Sequence, residues 1–125
     1  MKFLAMIKSS EQNGPPPQAL MEAMGKFGME AVQAGVIADM GGLAPSSMST
    51  RVRLDKGKVS VLDGPFTESK EVVGGYAIYN VATKADAVEW TRRFMELHRL
   101  HWPGFEGESE LRQLFGPNDG PGAPG

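Results

Sequence analysis

Residues 72–81, VVGGYAIYNV, constrain the fold more than any other stretch of the chain. The run is rich in β-branched and aromatic residues, which favour a strand. Successive side chains of a strand point to opposite faces of its sheet. One row would comprise Tyr76, Ile78 and Asn80, and the other Ala77, Tyr79 and Val81. Both rows are largely apolar, so the sheet that contains this strand needs cover on both faces.

Two amphipathic helices are available to supply that cover. In residues 18–34, apolar side chains recur every three or four positions, the spacing of one helix face, and Gly35 follows where a left-handed residue ends a helix. A second helix begins behind Thr83, which with Asp86 resembles a capping box, and ends near residues 102–104.

The remaining strands complete the pattern. Apolar or alternating runs at residues 3–7, 36–43 and 110–115 predict strands, and residues 51–54 and 58–61 flank the turn 55–57 as a hairpin. The order β-α-β, hairpin, β-α-β predicts an α+β fold of the ferredoxin-like split βαβ type with an inserted β-hairpin. Because two helices cover one sheet face only, we expect a homodimer that covers the other.

Composition limits the class of protein. A chain of 125 residues has room for one core, which we place in residues 1–115, with a disordered Gly/Pro tail at 116–125. The net charge of -2 argues against nucleic acid as the main partner. The absence of cysteine excludes thiolate nucleophiles and Cys-ligated metals. The first apolar run has five residues, too few for a secretory or membrane segment, so we expect no membrane partner and a cytoplasmic protein.

One run of motifs resembles a known family. The tetrapeptide at residues 63–66, DGPF, precedes ESKE at 68–71 and GGY at 74–76, and this series is similar to the DGPF branch of the YCII-related family. The resemblance runs from about residue 2 to residue 115 and implies a dimeric α+β barrel. For the YCII branch it also implies a histidine–aspartate pair in a cleft beside the sheet, with the histidine on the first helix. Residues 18–34 contain no histidine, so that pair does not carry over.

The DGPF stretch contains the main catalytic candidate. Asp63 is either an acid/base at the mouth of a cleft or a turn residue that accepts backbone hydrogen bonds, and we favour the turn. Arg51 and Arg53 share one strand face and could bind a carboxylate or phosphate. The alternative is a solvated face with ion pairs to nearby glutamates, which we favour. Tyr76 is the third candidate ligand contact.

The sequence offers little for a metal or cofactor. His98 and His101 have an i, i+3 spacing, but a third ligand would have to come from Asp86, Glu106 or Glu108. We interpret the pair as exposed side chains at a helix C-terminus, where imidazolium is favoured by the dipole. No glycine-rich phosphate loop is present. We therefore expect no metal and no cofactor.

Three functions remain open at this point. The first is a homodimer that binds a small molecule in a cleft between the sheet and the loops at residues 43–50 and 63–71. The second is a metal-free enzyme in that cleft, with Asp63 or a tyrosine as the acid/base. The third is a regulatory interaction module, because the resembled proteins are often associated with extracytoplasmic-function sigma factors.

Overall fold

A computed structural model describes residues 1–66 and 71–117. Two helices and six strands follow one another in the predicted order, with two short 3-10 turns at Glu11–Asn13 and Ser46–Met48. The helices and strands are β1 (Lys2–Ser9), α1 (Gln18–Gln33), β2 (Ile37–Gly42), β3 (Thr50–Asp55), β4 (Lys58–Asp63), β5 (Val72–Asn80), α2 (Lys84–His101) and β6 (Gly107–Leu114).

Four strands form the main sheet in the order β2-β5-β1-β6, and all neighbours are antiparallel. The predicted α+β, ferredoxin-like architecture is confirmed. Both helices pack on the sheet face that carries Phe3 and Tyr79, which lie opposite each other in the β1–β5 register. Tyr79 is 2% exposed, and this burial raises its pKa to about 12.

Aromatic contacts hold the two helices together. The Phe27 ring of α1 lies 5.7 Å from the rings of Trp90 and Phe94 on α2. The Arg93 guanidinium lies 4.6 Å above the Trp90 ring and donates a 2.6 Å hydrogen bond to Glu30. The helical layer is therefore a single packed unit over one face of the sheet.

The inserted hairpin stands apart from the main sheet. Among the described strands, β3 and β4 pair only with each other, from Thr50 opposite Asp63 to Asp55 opposite Lys58. Lys56 and Gly57 join them with φ angles of 52° and 77°, as a two-residue turn with both φ positive requires. We call residues 50–63 the arm.

Strand β6 begins three residues earlier than predicted. Glu108 and Ser109 pair with Lys8 and Ile7 of β1. Because β6 is an edge strand, its outward side chains stay polar, and local hydrophobicity did not mark its first residues as a strand.

The disordered tail stays a prediction. The proposed tail at 116–125 falls mostly on residues 118–125, which lie outside the described residues. In the described ranges, neither helix is both long and apolar enough to cross a membrane.

The prediction that His98 is exposed is wrong. Its ring is 4% exposed and lies 4.8 Å from the Phe94 ring and 5.0 Å from the Phe105 ring. Phe105 reaches it because the segment after α2 folds back over the helix end, with Phe105 N–H donating to the Trp102 carbonyl. Nδ1 lies 3.0 Å from the Phe94 carbonyl oxygen, an acceptor, so Nδ1 carries the proton. Burial lowers the pKa of His98.

This burial predicts a specific loss of stability in mild acid. Because the folded pKa of His98 lies below its unfolded value of about 6.5, the unfolded chain takes up the proton first as pH falls. The contribution of His98 is therefore complete above about pH 6.5 and is lost as pH falls toward the folded pKa. Urea unfolding between pH 7.5 and pH 5 should show this slope, which His98→Phe should flatten. His101→Gln is the matched control and should keep the slope; equal slopes in the two variants would contradict the assignment.

Candidate functional site

The sheet face opposite the helices carries an apolar centre. Leu4 and Met6 of β1 lie opposite Ile78 and Tyr76 of β5, and all four side chains are half-buried. We call this surface the uncovered face. Lys8 forms an ion pair with Glu110 on the same face. The centre of the face is therefore apolar, and charged side chains border it.

A carboxylate–phenol pair lies on this face. The Tyr76 hydroxyl donates a 2.9 Å hydrogen bond to Oδ2 of Asp39 on β2. The other carboxylate oxygen, Oδ1, accepts the Met40 backbone N–H at 2.9 Å. The antiparallel β2–β5 ladder brings the two residues together, since it places Asp39 opposite Ile78 and Gly41 opposite Tyr76.

Gly41 makes room for the Tyr76 ring. A Cβ atom at position 41 would lie 3.2 Å from Cε1 of Tyr76, closer than ordinary side-chain contacts. The ring therefore lies across the glycine, which orients the hydroxyl toward Asp39.

The electrostatics of the pair keep the phenol protonated. The hydrogen bond to Asp39, together with partial burial, raises the pKa of Tyr76. At neutral pH the tyrosine is a donor to the carboxylate. The remaining lone pairs of Asp39, and those of the hydroxyl, can accept hydrogen bonds from a ligand. The arrangement suits recognition of an amine or hydroxyl group beside an apolar surface.

The two arginines predicted as ligand contacts lie on the arm. Arg51 is half-buried, and its guanidinium lies 3.7 Å from the centre of the Phe66 ring, in cation–π geometry. Arg53 lies opposite Ser60 and is exposed. Arg51 and Tyr76 thus belong to different elements, the arm and the main sheet. A ligand-binding role for Arg51 and Arg53 stays a prediction.

The DGPF tetrapeptide joins the arm to the loop before it. Asp63 accepts a 2.9 Å hydrogen bond from the Thr50 hydroxyl across the arm. Gly64 N–H donates to the Ser49 carbonyl at 2.8 Å, and a Cβ at position 64 would lie 2.0 Å from the Ser46 carbonyl oxygen. No side chain fits there, so the glycine is required by close approach.

Ser46 is also fixed from the other side. Its backbone N–H and its hydroxyl both donate to the Glu11 carboxylate, and these bonds lower the pKa of Glu11. The loop before the arm therefore connects the end of β1 with the DGPF tetrapeptide. This arrangement supports a structural role for Asp63, and its use as an acid/base stays a prediction.

Asp39 is the functional candidate that sequence reasoning missed. Within residues 1–66 and 71–117, no three His, Asp or Glu side chains are grouped as metal ligands. A signal for Asp39 was present, since a lone carboxylate interrupts the otherwise apolar run at residues 36–43. Its partner lies 37 positions away, which local patterns do not reveal.

Comparison with known proteins assigns the family. The model of the YCII-related domain matches residues 1–95. The chain belongs to the YCII-related family. An uncharacterised protein of Rhizobium meliloti (strain 1021) is 31% identical to this YCII-related chain over 61 residues, which cover 49% of each protein. The chain thus spans about half the length of the curated relative it matches.

The Thr50–Asp63 hydrogen bond of this YCII-related protein gives a stability test. Asp63→Ala should lower the free energy of unfolding by about 1 kcal/mol, the usual contribution of such a bond. Asp63→Asn should be milder, because its amide oxygen still accepts from Thr50. Thr50→Val is the matched partner variant, and in a double-mutant cycle with Asp63→Ala the losses should not add. Additive losses in urea unfolding would show that the two side chains act separately.

Proposed function

We propose that this YCII-related protein is a homodimer that binds a small molecule at the Asp39–Tyr76 pair, in a cleft beside the sheet. The observation that carries the proposal is the 2.9 Å Tyr76–Asp39 hydrogen bond on an apolar sheet face. Polar groups that converge within an apolar surface are the usual composition of a ligand site, because the apolar part supplies affinity and the polar part fixes orientation.

The dimer follows from what the chain leaves uncovered. Leu4, Met6 and Ile78 surround Tyr76, yet both helices lie on the opposite side of the sheet. A second copy placed over this face would turn an open surface into a cleft and remove these side chains from water. The Asp39–Tyr76 pair would then lie between the two sheets, where a weaker dielectric strengthens its hydrogen bonds to a ligand.

The chemistry of the pair selects the ligand. Asp39 accepts hydrogen bonds, so a ligand with an ammonium or hydroxyl group is favoured, and a carboxylate is repelled. The neighbouring Leu4, Met6 and Ile78 favour an apolar or aromatic body next to that group. The proposed ligand class is a small amine or alcohol with an apolar portion.

The enzyme proposal has weaker support. Asp63 lies at the end of β4, is exposed, and accepts the Thr50 hydroxyl. Among the described residues, its hydrogen-bond partner is the Thr50 hydroxyl, which supports a structural role more than proton transfer. We therefore place the ligand site at Asp39 and Tyr76 and not at Asp63.

A matched pair of probes tests the ligand class. In NMR titrations of labelled protein, benzylamine should shift the amide signals of residues 39–41 and 74–78, with a dissociation constant in the millimolar range that suits a fragment (about -4 kcal/mol). Benzoate should bind roughly tenfold or more weakly, because it meets Asp39 with like charge. Asp39→Asn should remove the preference for the amine, and Tyr76→Phe should weaken benzylamine binding.

Arg53→Gln is the control and should leave the benzylamine titration unchanged. The proposal fails if benzoate binds as well as benzylamine, or if the shifted signals belong to the arm. Signals at the arm together with a preference for benzoate would instead favour the arginines as the ligand contacts.

A further inference from the structure

The arm turns its apolar face outward. Val52 lies opposite Val61, and Leu54 lies opposite Val59. These four side chains are 63% to 72% exposed. On the other face of the arm, Arg51 and Ser60 are half-buried. The aliphatic face of the arm is thus exposed, and its polar face is partly buried. A hairpin that packs on the core of its own chain would show the opposite arrangement.

A two-stranded hairpin is marginally stable in water without packing on one face. The root of the arm is nevertheless fixed, through the Thr50–Asp63 bond and through the Gly64 N–H bonded to the Ser49 carbonyl. A fixed root presents the aliphatic face in a defined direction. The aliphatic face of the arm is therefore available to contact a surface outside its own chain.

A second uncovered apolar surface lies on α1. A groove of about 430 Å³ lies between the exposed flank of α1 and β2. The exposed side chains of Met29 and Val32 line it. Gly25 lines the groove, and a Cβ there would have no neighbour within 4 Å. Except for Gln33, the lining is apolar or glycine: Met24, Gly25, Gly28, Met29, Val32 and Met40.

This flank departs from what a surface helix requires. A helix at a protein surface keeps one apolar stripe for the core and polar residues elsewhere. In α1, Leu20, Phe27 and Ala31 already supply the buried stripe. Glycine is also a poor helix former, and a side chain at position 25 would meet open space. An unfilled notch between flexible methionines suits side chains that come from outside.

We propose that the aliphatic face of the arm of one copy docks into the α1 groove of a second copy. The two surfaces match in chemistry, because the arm offers four aliphatic side chains and the open groove is lined mainly by apolar side chains and glycine. Neither surface carries a charge, so the contact buries no ion. The same chain leaves both its arm and its groove exposed, so it does not close on itself.

The area supports a reciprocal exchange of arms. Burying a Val or Leu side chain removes roughly 60–120 Å² from water, so the four arm side chains present roughly 150–300 Å² of apolar surface. On the groove side, Met29, Val32 and Met40 are 39% to 65% exposed and present roughly 100–200 Å² by the same measure. Each protomer that gives an arm and receives one thus buries roughly 250–500 Å² of apolar surface, and the upper end of this range reaches the apolar share of a standard interface of about 800 Å² per partner.

The uncovered sheet face is a poorer receptor for the arm. Its apolar side chains, such as Met6 and Ile78, are already half-buried, and the Lys8–Glu110 ion pair borders them. Met29 and Val32 in the groove are 65% and 59% exposed. More apolar surface is therefore available for burial on α1. The inference does not rest on the ligand site, which lies on the opposite side of the sheet.

Disulfide trapping tests the contact, because the chain has no cysteine of its own. Val61→Cys protein, labelled with ¹⁵N, is mixed with unlabelled Val32→Cys protein and oxidised, and intact masses identify each product. We expect the mixed arm–groove disulfide to exceed the control pair Val61→Cys with Lys84→Cys by roughly tenfold or more, since docking raises the effective concentration to millimolar. Val59→Cys is a second arm position and should give the same excess.

Three other outcomes would overturn the proposal. One is a dominant disulfide between two Val61→Cys arms, and another is a dominant product with Ile78→Cys on the uncovered face. The third is a yield no greater than the Lys84→Cys control. Circular dichroism shows that each variant is folded. Failure here leaves the benzylamine titration unaffected, because that titration reports on Asp39 and Tyr76.

Discussion

The placement of both helices on one face of the main sheet shapes the rest of the molecule. The helices meet through Phe27, Trp90 and Phe94, and they cover the side of the sheet that carries Phe3 and Tyr79. Burial there provides the core. The opposite face keeps an apolar centre, and residues 1–66 and 71–117 contain no third α-helix that could cover it. Surface that the chain cannot bury alone is thus the constraint from which the proposed dimer and the proposed ligand site both follow.

The DGPF tetrapeptide has a mechanical explanation in this fold. Asp63 is bonded to Thr50, Gly64 packs against the Ser46 carbonyl, and Phe66 receives the Arg51 guanidinium. Together these three contacts fix the base of the arm relative to the loop that precedes it. The most recognisable motif of the sequence therefore positions an element, whereas the groups suited to ligand chemistry, Asp39 and Tyr76, lie on the main sheet.

The sequence predicted the structural features that depend on local residue patterns. The 3.6-residue periodicity marked α1 and α2, alternation marked the arm, and Gly35 adopts the expected left-handed conformation with φ of 73°. Prediction failed where contacts between distant residues decide. His98 is buried among the rings of Phe94, Trp102 and Phe105, of which Phe105 reaches it from beyond the helix end. Asp39 meets Tyr76 through the β2–β5 register. Neither contact produces a periodic pattern in the sequence.

The central claim is that a second copy covers the apolar surface this chain leaves open. Light scattering of the purified protein at micromolar concentration measures this directly. The account predicts a particle of at least about twice the chain mass of 13.5 kDa. A stable species of 13.5 kDa, with the uncovered face and the arm both left in water, would contradict it.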